Sequence, residues 1–298
     1  MHKTIDTITF HLAVESVDSP YSWQAYLGAL TARHHHPTAR IYLGADSATL
    51  RILREGAHPL LSIAEPLDLG EFGDESTVVR SRLAKIRTAG KIDSSVLLCD
   101  CDTAIMRPLP EMDFGGCAIA AGYDAHVLAG KDVFPGFLVP HFQKLDWEYP
   151  TDRYFNSGVI WVAEREVRGA FFEEWEKAYG EFRKSGAQID QGAFNHVIDS
   201  GRFQVCLLNK EWNAFVGSSE KVRKSASILH FFSSSAGYET SNYKRIVDDL
   251  AGGRIRSAEQ VIERLTAKVP LLYGYTIQRC ADAGDWRSVF SLIFKKIF

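Results

Sequence analysis

VLLCDCDTAIMRPL, residues 96–109, is an apolar run that ends in two aspartates one position apart. Its first half has the length and aliphatic content of a strand buried on both faces. Asp100 and Asp102 stand where that strand ends. Residues i and i+2 of a strand share a face, and where the chain turns both carboxylates can approach one cation. Hard oxygen ligands suit Mg2+ or Mn2+, which bind one or two carboxylates together with substrate phosphates. Taken alone, Asp-X-Asp also describes two solvated or capping aspartates.

Upstream, strand-like and helix-like segments alternate. ITFHLAV (8–14) has strand length, SWQAYLGALTARHHH (22–36) has helical spacing, and ARIYLGA (39–45) is a second strand. SATLRILREG (47–56) reads as a helix, LLSIAEP (60–66) as a third short strand, and STVVRSRLAKIRTAG (76–90) as a helix ending at Gly90. Downstream, GCAIAAGY (116–123) and GVIWVAE (158–164) read as strands, and residues 169–186 and 191–201 as helices. This alternation predicts an α/β domain with a mainly parallel sheet covered by helices on both faces. Ligands of such sheets bind at the carboxyl ends of strands, where Asp100 and Asp102 lie. Residues 246–298 read as a helical C-terminal extension to a 1–245 domain. The run His34-His35-His36 before Pro37 reads as a helix end, where cations are favoured.

The composition is that of an ordinary globular chain, 46% hydrophobic and 24% charged. A net charge of −3 lacks the basic excess of a nucleic-acid binder. Five scattered cysteines suggest no disulfide framework, so a reducing cytoplasm is the expected compartment. The N-terminus does not read as a signal peptide, and no apolar run reaches the ~20 residues of a spanning helix. The apolar and basic end SVFSLIFKKIF (288–298) suits either peripheral contact with the inner face of a membrane or a helix packed on the domain.

Five ordered blocks around the acidic pair carry a resemblance. YFNSGVIWV (154–162), IDQGAFNHVI (189–198), LLNKEWNAF (207–215) and ILHFF (228–232) follow it, and FHLAVESVDSPYSWQAYLGALTARHHHP (10–37) precedes it. Together they resemble the retaining glycosyltransferases of family 8, the glycogenin and lipopolysaccharide galactosyltransferase group, across most of residues 8–232. The resemblance implies a GT-A nucleotide-diphospho-sugar transferase fold. It implies transfer of a hexose from a nucleotide sugar, a UDP-hexose, to a glycan, lipid-linked saccharide or protein acceptor.

The resemblance also assigns roles. Asp100, Asp102 and His230 would hold Mn2+ or Mg2+ at the donor diphosphate, with Cys101 a small filler between the aspartates. Arg82 and Lys85 would add charge-assisted hydrogen bonds to the donor. Val14, Ser16 and Tyr21 fall where the nucleoside binds, with Tyr21 placed to stack on the base. Asn156, Ser157, Asp190 and Gln191 would contact the transferred sugar, with Asp190 and Gln191 catalytic. A covalent Asp190 intermediate and a front-face displacement are both open. Asp190 also reads as a helix N-cap. The family's lysine after the metal histidine is replaced by Ala236, with Lys244 or Arg245 as candidate substitutes.

Two other readings compete. VLLCDCDTAI also resembles the haloacid-dehalogenase phosphatases, where Asp100 would be the nucleophile and Asp102 the general acid. That motif normally comes early in its domain, and it leaves the later blocks unexplained. The missing lysine also allows a sugar-nucleotide or glycan-binding protein without activity.

Overall fold

A computed structural model describes residues 5–110, 116–128, 133–163, 165–216, 224–231, 238–267 and 286–297. In chain order its elements are β1 (Thr7–Leu12), α1 (Pro20–His35), β2 (Arg40–Ala45), α2 (Ser47–Glu55), α3 (Leu60–Ile63), β3 (Glu65–Asp68), α4 (Thr77–Gly90), β4 (Val96–Cys99) and β5 (Thr103–Ile105). There follow β6 (Ile119–Tyr123), α5 (Ala125–Leu128), α6 (Val139–Lys144), β7 (Phe155–Val162), α7 (Arg165–Lys184), α8 (Gln191–Asp199), β8 (Val205–Leu207), β9 (Ala214–Phe215) and β10 (Ile228–His230). The chain then runs through α9 (Asn242–Ala251), α10 (Ala258–Thr266) and α11 (Trp286–Ile297).

Seven strands form the main sheet in the order β3-β2-β1-β4-β7-β6-β8. All run one way except β7, which is antiparallel to both its neighbours, β4 and β6. Period-two burial explains the two-layered core. Leu97, Cys99, Val159 and Trp161 face one apolar cluster with β1 and α1 residues. Val96, Leu98, Ile160 and Val162 face the other, with Phe171, Trp175 and Phe194 of α7 and α8. A strand buried on both sides has no room for polar alternation, hence the continuous apolar run before Asp100.

The second sheet, β5-β10-β9, has three strands. The chain leaves the main sheet at Cys99 and enters the small one at Thr103, so the acidic pair lies at their junction. Gly28 lets α1 lie close to β5, since a Cβ there would come within 2.8 Å of the Thr103 carbonyl. Leu27 and Tyr26 of α1 pack with α9 and α10 in a third apolar cluster. The boundary expected at 245/246 therefore falls inside α9, and α9 and α10 share the core of what precedes them.

Two expectations are corrected. LLSIAEP is not one strand: Leu60–Ile63 forms a helical turn, and the strand is Glu65–Asp68. Among the described residues that strand pairs only with β2, and an edge is where Pro66 is tolerated. The cysteines are not all free either. Cys117 and Cys206, 89 positions apart, form a disulfide with their Cα atoms 5.9 Å apart. Pairing of β6 with β8 brings them together.

The His34–His36 run does end α1, with His36 at its C-cap. No helix among the described residues is long and apolar enough to cross a membrane. On α11, Trp286, Phe290 and Phe294 are each about 60% exposed at intervals of four, while Val289 is buried.

Candidate active site

A cleft of about 760 Å³ opens at the carboxyl ends of β1 and β4. Because β7 is reversed, its first residues, Asn156 and Ser157, reach the same end of the sheet. Asn195 of α8 pins them there. Its side chain accepts from the Phe155 N–H at 2.7 Å and donates to the Phe155 carbonyl at 2.9 Å, much as a neighbouring strand would. This places the start of α8, Asp190 and Gln191, against β7.

At one end of the cleft, ligand atoms of Asp100, Asp102 and His230 all lie within 4.8 Å of one another. His230 Nε2 is 3.4 Å from Asp102 Oδ1 and 3.8 Å from Asp100 Oδ2. His230 reaches this point because it pairs in register with Thr103, next to Asp102. Gly158 of β7 floors the group. A Cβ there would collide with His230 Cε1 and lie 2.9 Å from Asp100 Oδ2. Two carboxylates and an imidazole brought together over a glycine are a donor set that fits Mn2+ or Mg2+.

Electrostatics tie this group to the rest of the cleft. Lys85 is 1% exposed, with its Nζ 2.8 Å from Asp100 Oδ1 and 3.2 Å from Asp190 Oδ2. Arg82, one helical turn earlier on α4, has Nε 3.3 Å from Asp190 Oδ1. Burial pushes the Asp100 carboxyl up, but Lys85 and then His11 overcome it and hold the group well below the ordinary carboxylate value. For Asp190 burial is likewise outweighed, by Lys85 and Arg82, so that it too stays ionised. Burial disfavours the imidazolium of His230, yet Asp102 carries its pKa above the ordinary histidine value.

Asp190 holds the N-cap position of α8 but makes no side-chain cap hydrogen bond. Its helix-like backbone (φ −84°, ψ −23°) turns the side chain elsewhere. There Asp190 Oδ2 accepts from Ser157 Oγ at 3.1 Å as well as facing Lys85. The cap reading is corrected accordingly. Gln191 Nε2 donates to Asp124 Oδ2 at 2.8 Å, and Asn156 Nδ2 donates to the same oxygen at 3.1 Å.

Most residues expected at the site line this one cleft: Tyr21, Arg82, Lys85, Asp100, Cys101, Asp102, Asn156, Ser157, Asp190, Gln191 and His230. Val14 and Ser16 do not line it. The Val14 N–H donates to Thr49 Oγ1 at 3.1 Å, and exposed Ser16 accepts from the Asp18 N–H at 3.2 Å. Leu12 and Ala13 form the β1 wall in their place. Ala236 lies outside the described residues. Its candidate substitutes do not line the cleft, since Lys244 pairs with Asp248 at 2.8 Å and Arg245 reaches Asn242 at 3.5 Å.

Sequence reasoning missed three polar residues. His11, with Nε2 2.9 Å from Asp100 Oδ1, looks like a polar interruption of an apolar strand. Asp124 follows β6 as an ordinary loop aspartate would. Asn213 lies between Asn156 and His230. Only for Asp124, just past the carboxyl end of β6, was its place after a strand an available signal.

No protein-family model matches the chain, and no curated protein matches it in sequence. Solved structures do match in fold. The bifunctional glycosyltransferase WbbM aligns with a TM-score of 0.53 at 18% identity, over 89% of this chain and 52% of that one. The galactosyltransferase LgtC, solved with donor and acceptor sugar analogues, aligns at 0.52 and 16%, over 83% and 95%. GlyE of Streptococcus pneumoniae TIGR4 aligns at 0.55 and 14%, over 88% and 63%. The chain thus spans about half of WbbM and less than two thirds of GlyE. The class defined is structural: an α/β protein with the GT-A glycosyltransferase fold and a candidate Asp-Asp-His metal group.

Proposed function

We propose that this chain is a metal-dependent glycosyltransferase of the family-8 type. It moves a hexose from a UDP-sugar to a glycan, lipid-linked saccharide or protein acceptor, with retention of configuration. One observation carries the reading: the Asp100–Asp102–His230 group and the Asp190–Gln191–Asn156 group share a single cleft, joined by Lys85. The phosphatase reading loses its support, because the fold is that of solved glycosyltransferases and the 154–162, 189–198 and 228–232 blocks all send residues into the same cleft.

Asp100, Asp102 and His230 would hold Mn2+ or Mg2+, which would supply Lewis-acid stabilisation of the leaving diphosphate. Arg82 and Lys85 keep Asp190 ionised and place positive charge along the donor's path. Asp190 presents a carboxylate to the anomeric carbon, as a nucleophile or as the stabiliser of an oxocarbenium-like centre. Gln191 and Asn156, oriented by Asp124, face the sugar hydroxyls. Tyr21, 41% exposed in the cleft wall, offers its ring to the base. The catalytic unit runs from β1 through α10, since α9 and α10 share its core. The exposed aromatic face of α11, in a stretch rich in Arg and Lys, supports peripheral contact with a membrane surface.

Thermal shifts with UDP and UDP-sugars test the reading, since a ligand of the folded state raises its melting temperature. UDP is expected to stabilise the protein with Mn2+ and not in excess chelator, and UDP-hexose is expected to be hydrolysed slowly. Equal stabilisation in chelator would sink the metal bridge. Binding without turnover would leave a nucleotide-sugar-binding protein. Asp100-dependent release of phosphate from a phosphosugar would restore the phosphatase.

A further inference from the structure

Asn213, 2% exposed and just before β9, touches both halves of the site. Its Nδ2 donates to Asn156 Oδ1 at 2.9 Å, and its Oδ1 lies 3.0 Å from His230 Nδ1. A backbone group decides which atom is which. The Gly158 N–H donates to Asn156 Oδ1 at 2.8 Å, and an N–H can only donate, so that atom of Asn156 is oxygen. The Asn213 atom facing it must then be the amide nitrogen, and its other terminal atom the oxygen. An amide oxygen only accepts, so His230 carries a proton on Nδ1 in this bond.

The remaining contacts agree. The Ser157 N–H donates to Gln191 Oε1 at 3.2 Å, which leaves Gln191 Nε2 to donate to Asp124 at 2.8 Å. Asn156 Nδ2 donates to Gln191 Oε1 at 3.0 Å. Every donor in the chain meets an acceptor, and reversing any one amide would set two donors or two acceptors face to face.

With Nδ1 protonated, the neutral imidazole turns its Nε2 lone pair toward Asp102 Oδ1 and Asp100 Oδ2, 3.4 and 3.8 Å away. A lone pair and two carboxylates repel one another unless a positive charge stands among them, either the second proton that Asp102 favours on the imidazole or a metal cation in its place. We propose that Asn213 is a positioning residue. It selects the His230 tautomer whose Nε2 faces the cation, and through Asn156 it fixes that imidazole relative to the Gln191–Asp124 pair on the sugar side. The cation rests on the transferase reading above, whereas the tautomer follows from the hydrogen bonds alone.

Two measurements test this. Long-range 1H–15N spectra of the metal-free, histidine-labelled protein at alkaline pH, with His230 assigned through His230→Gln, report the tautomer. Electron paramagnetic resonance of free Mn2+ reports affinity for the metal alone at neutral pH. Asn213→Ala is expected to lose the uniform Nδ1–H signature and to weaken Mn2+ binding by roughly 10- to 100-fold, as loss of a ligand-orienting partner does. Asn213→Asp keeps an acceptor for Nδ1–H but cannot donate to Asn156. It should retain the signature and bind Mn2+ more tightly than Asn213→Ala.

An unchanged signature in Asn213→Ala, or its loss in Asn213→Asp, would overturn the proposal. Should Asn213→Ala not fold, Asn213→Ser makes the same comparison, because its hydroxyl is too short to span both partners. If the wild-type protein binds no Mn2+, the metal reading falls, and the spectra still decide the role of Asn213.

Discussion

Asp100 and Gly158 meet at two points. The Asp100 N–H donates to the Gly158 carbonyl at 2.7 Å, and a Cβ on Gly158 would lie 2.9 Å from Asp100 Oδ2. Backbone pairing thus holds β4 to β7, while the missing side chain leaves room for the carboxylate and for His230. Gly158→Ala would fill that room. It is expected to cost about 1–3 kcal/mol of stability, the usual scale of overpacking, and to weaken Mn2+-dependent UDP binding in calorimetry more than stability alone explains. Wild-type UDP–Mn2+ affinity in Gly158→Ala would show that the close approach has no role in binding.

Asp102 and Asp190 should separate metal binding from catalysis. Asp102→Asn removes a carboxylate from the cation group, so metal-dependent UDP binding and transfer should fall together. Asp190→Asn lies beside the proposed sugar position and makes no cap whose loss would confuse the result. It is expected to keep UDP–Mn2+ affinity within a few fold and to lower turnover by ~10²-fold or more, the scale of a lost transition-state contact. Loss of UDP affinity as severe as in Asp102→Asn would move catalysis to Gln191.

Lys85 is the buried cation between the buried Asp190 and the half-buried Asp100. Lys85→Met would leave Asp100 and Asp190 with less compensation and is expected to destabilise the fold by roughly 3–5 kcal/mol. Lys85→Met/Asp190→Asn should recover part of that loss in denaturant titrations. The sign with pH follows from the lowered pKa values of Asp100 and Asp190. Their contribution to stability is present above the ordinary carboxylate range and is lost as pH falls through the depressed folded values. Lys85→Met should therefore lose stability mainly at neutral pH and converge on the wild type in acid. Equal destabilisation at every pH would reject the ion-cluster account.

His58 offers a test remote from the cation group. It is 3% exposed, its Nδ1 accepts from the Leu60 N–H at 3.2 Å, and its ring lies 4.5 Å from that of Trp23. Burial lowers its pKa from 6.5 to about 4, so the fold holds it neutral. An unfolded chain protonates this group first as pH falls. Stability should accordingly be complete above pH 6.5 and decline progressively to about pH 4. The loss is on the order of 3 kcal/mol for a shift of that size. His58→Gln should flatten this part of the pH–stability curve, and an unchanged slope would refute the assignment.

Local pattern made much of the molecule legible. The apolar runs at 8–14 and 96–99 became β1 and β4 because both faces of the sheet are covered. The acidic pair fell at a strand end, and the ordered blocks fixed the surroundings of Asn156, Asp190 and His230. Boundaries were less legible where local and tertiary preferences diverged. LLSIAEP has strand-like composition, yet only its last residues reach the edge of β2, and the rest closes into a turn of helix.

What sequence alone determined is whatever repeats within a few residues: strand and helix periods, the Asp100–Asp102 spacing and the end of α1 at its histidines. Tertiary structure decided what depends on partners far apart in the chain. Reversal of β7 brings Asn156 to Asp100, and β6–β8 pairing joins Cys117 to Cys206. His11 finds Asp100 from the far side of two β-α units, and Asn213 finds Asn156 across 57 positions. Neither residue carries a local signature, because a hydrogen bond is set by where two side chains meet in space, and only the folded sheets bring these together.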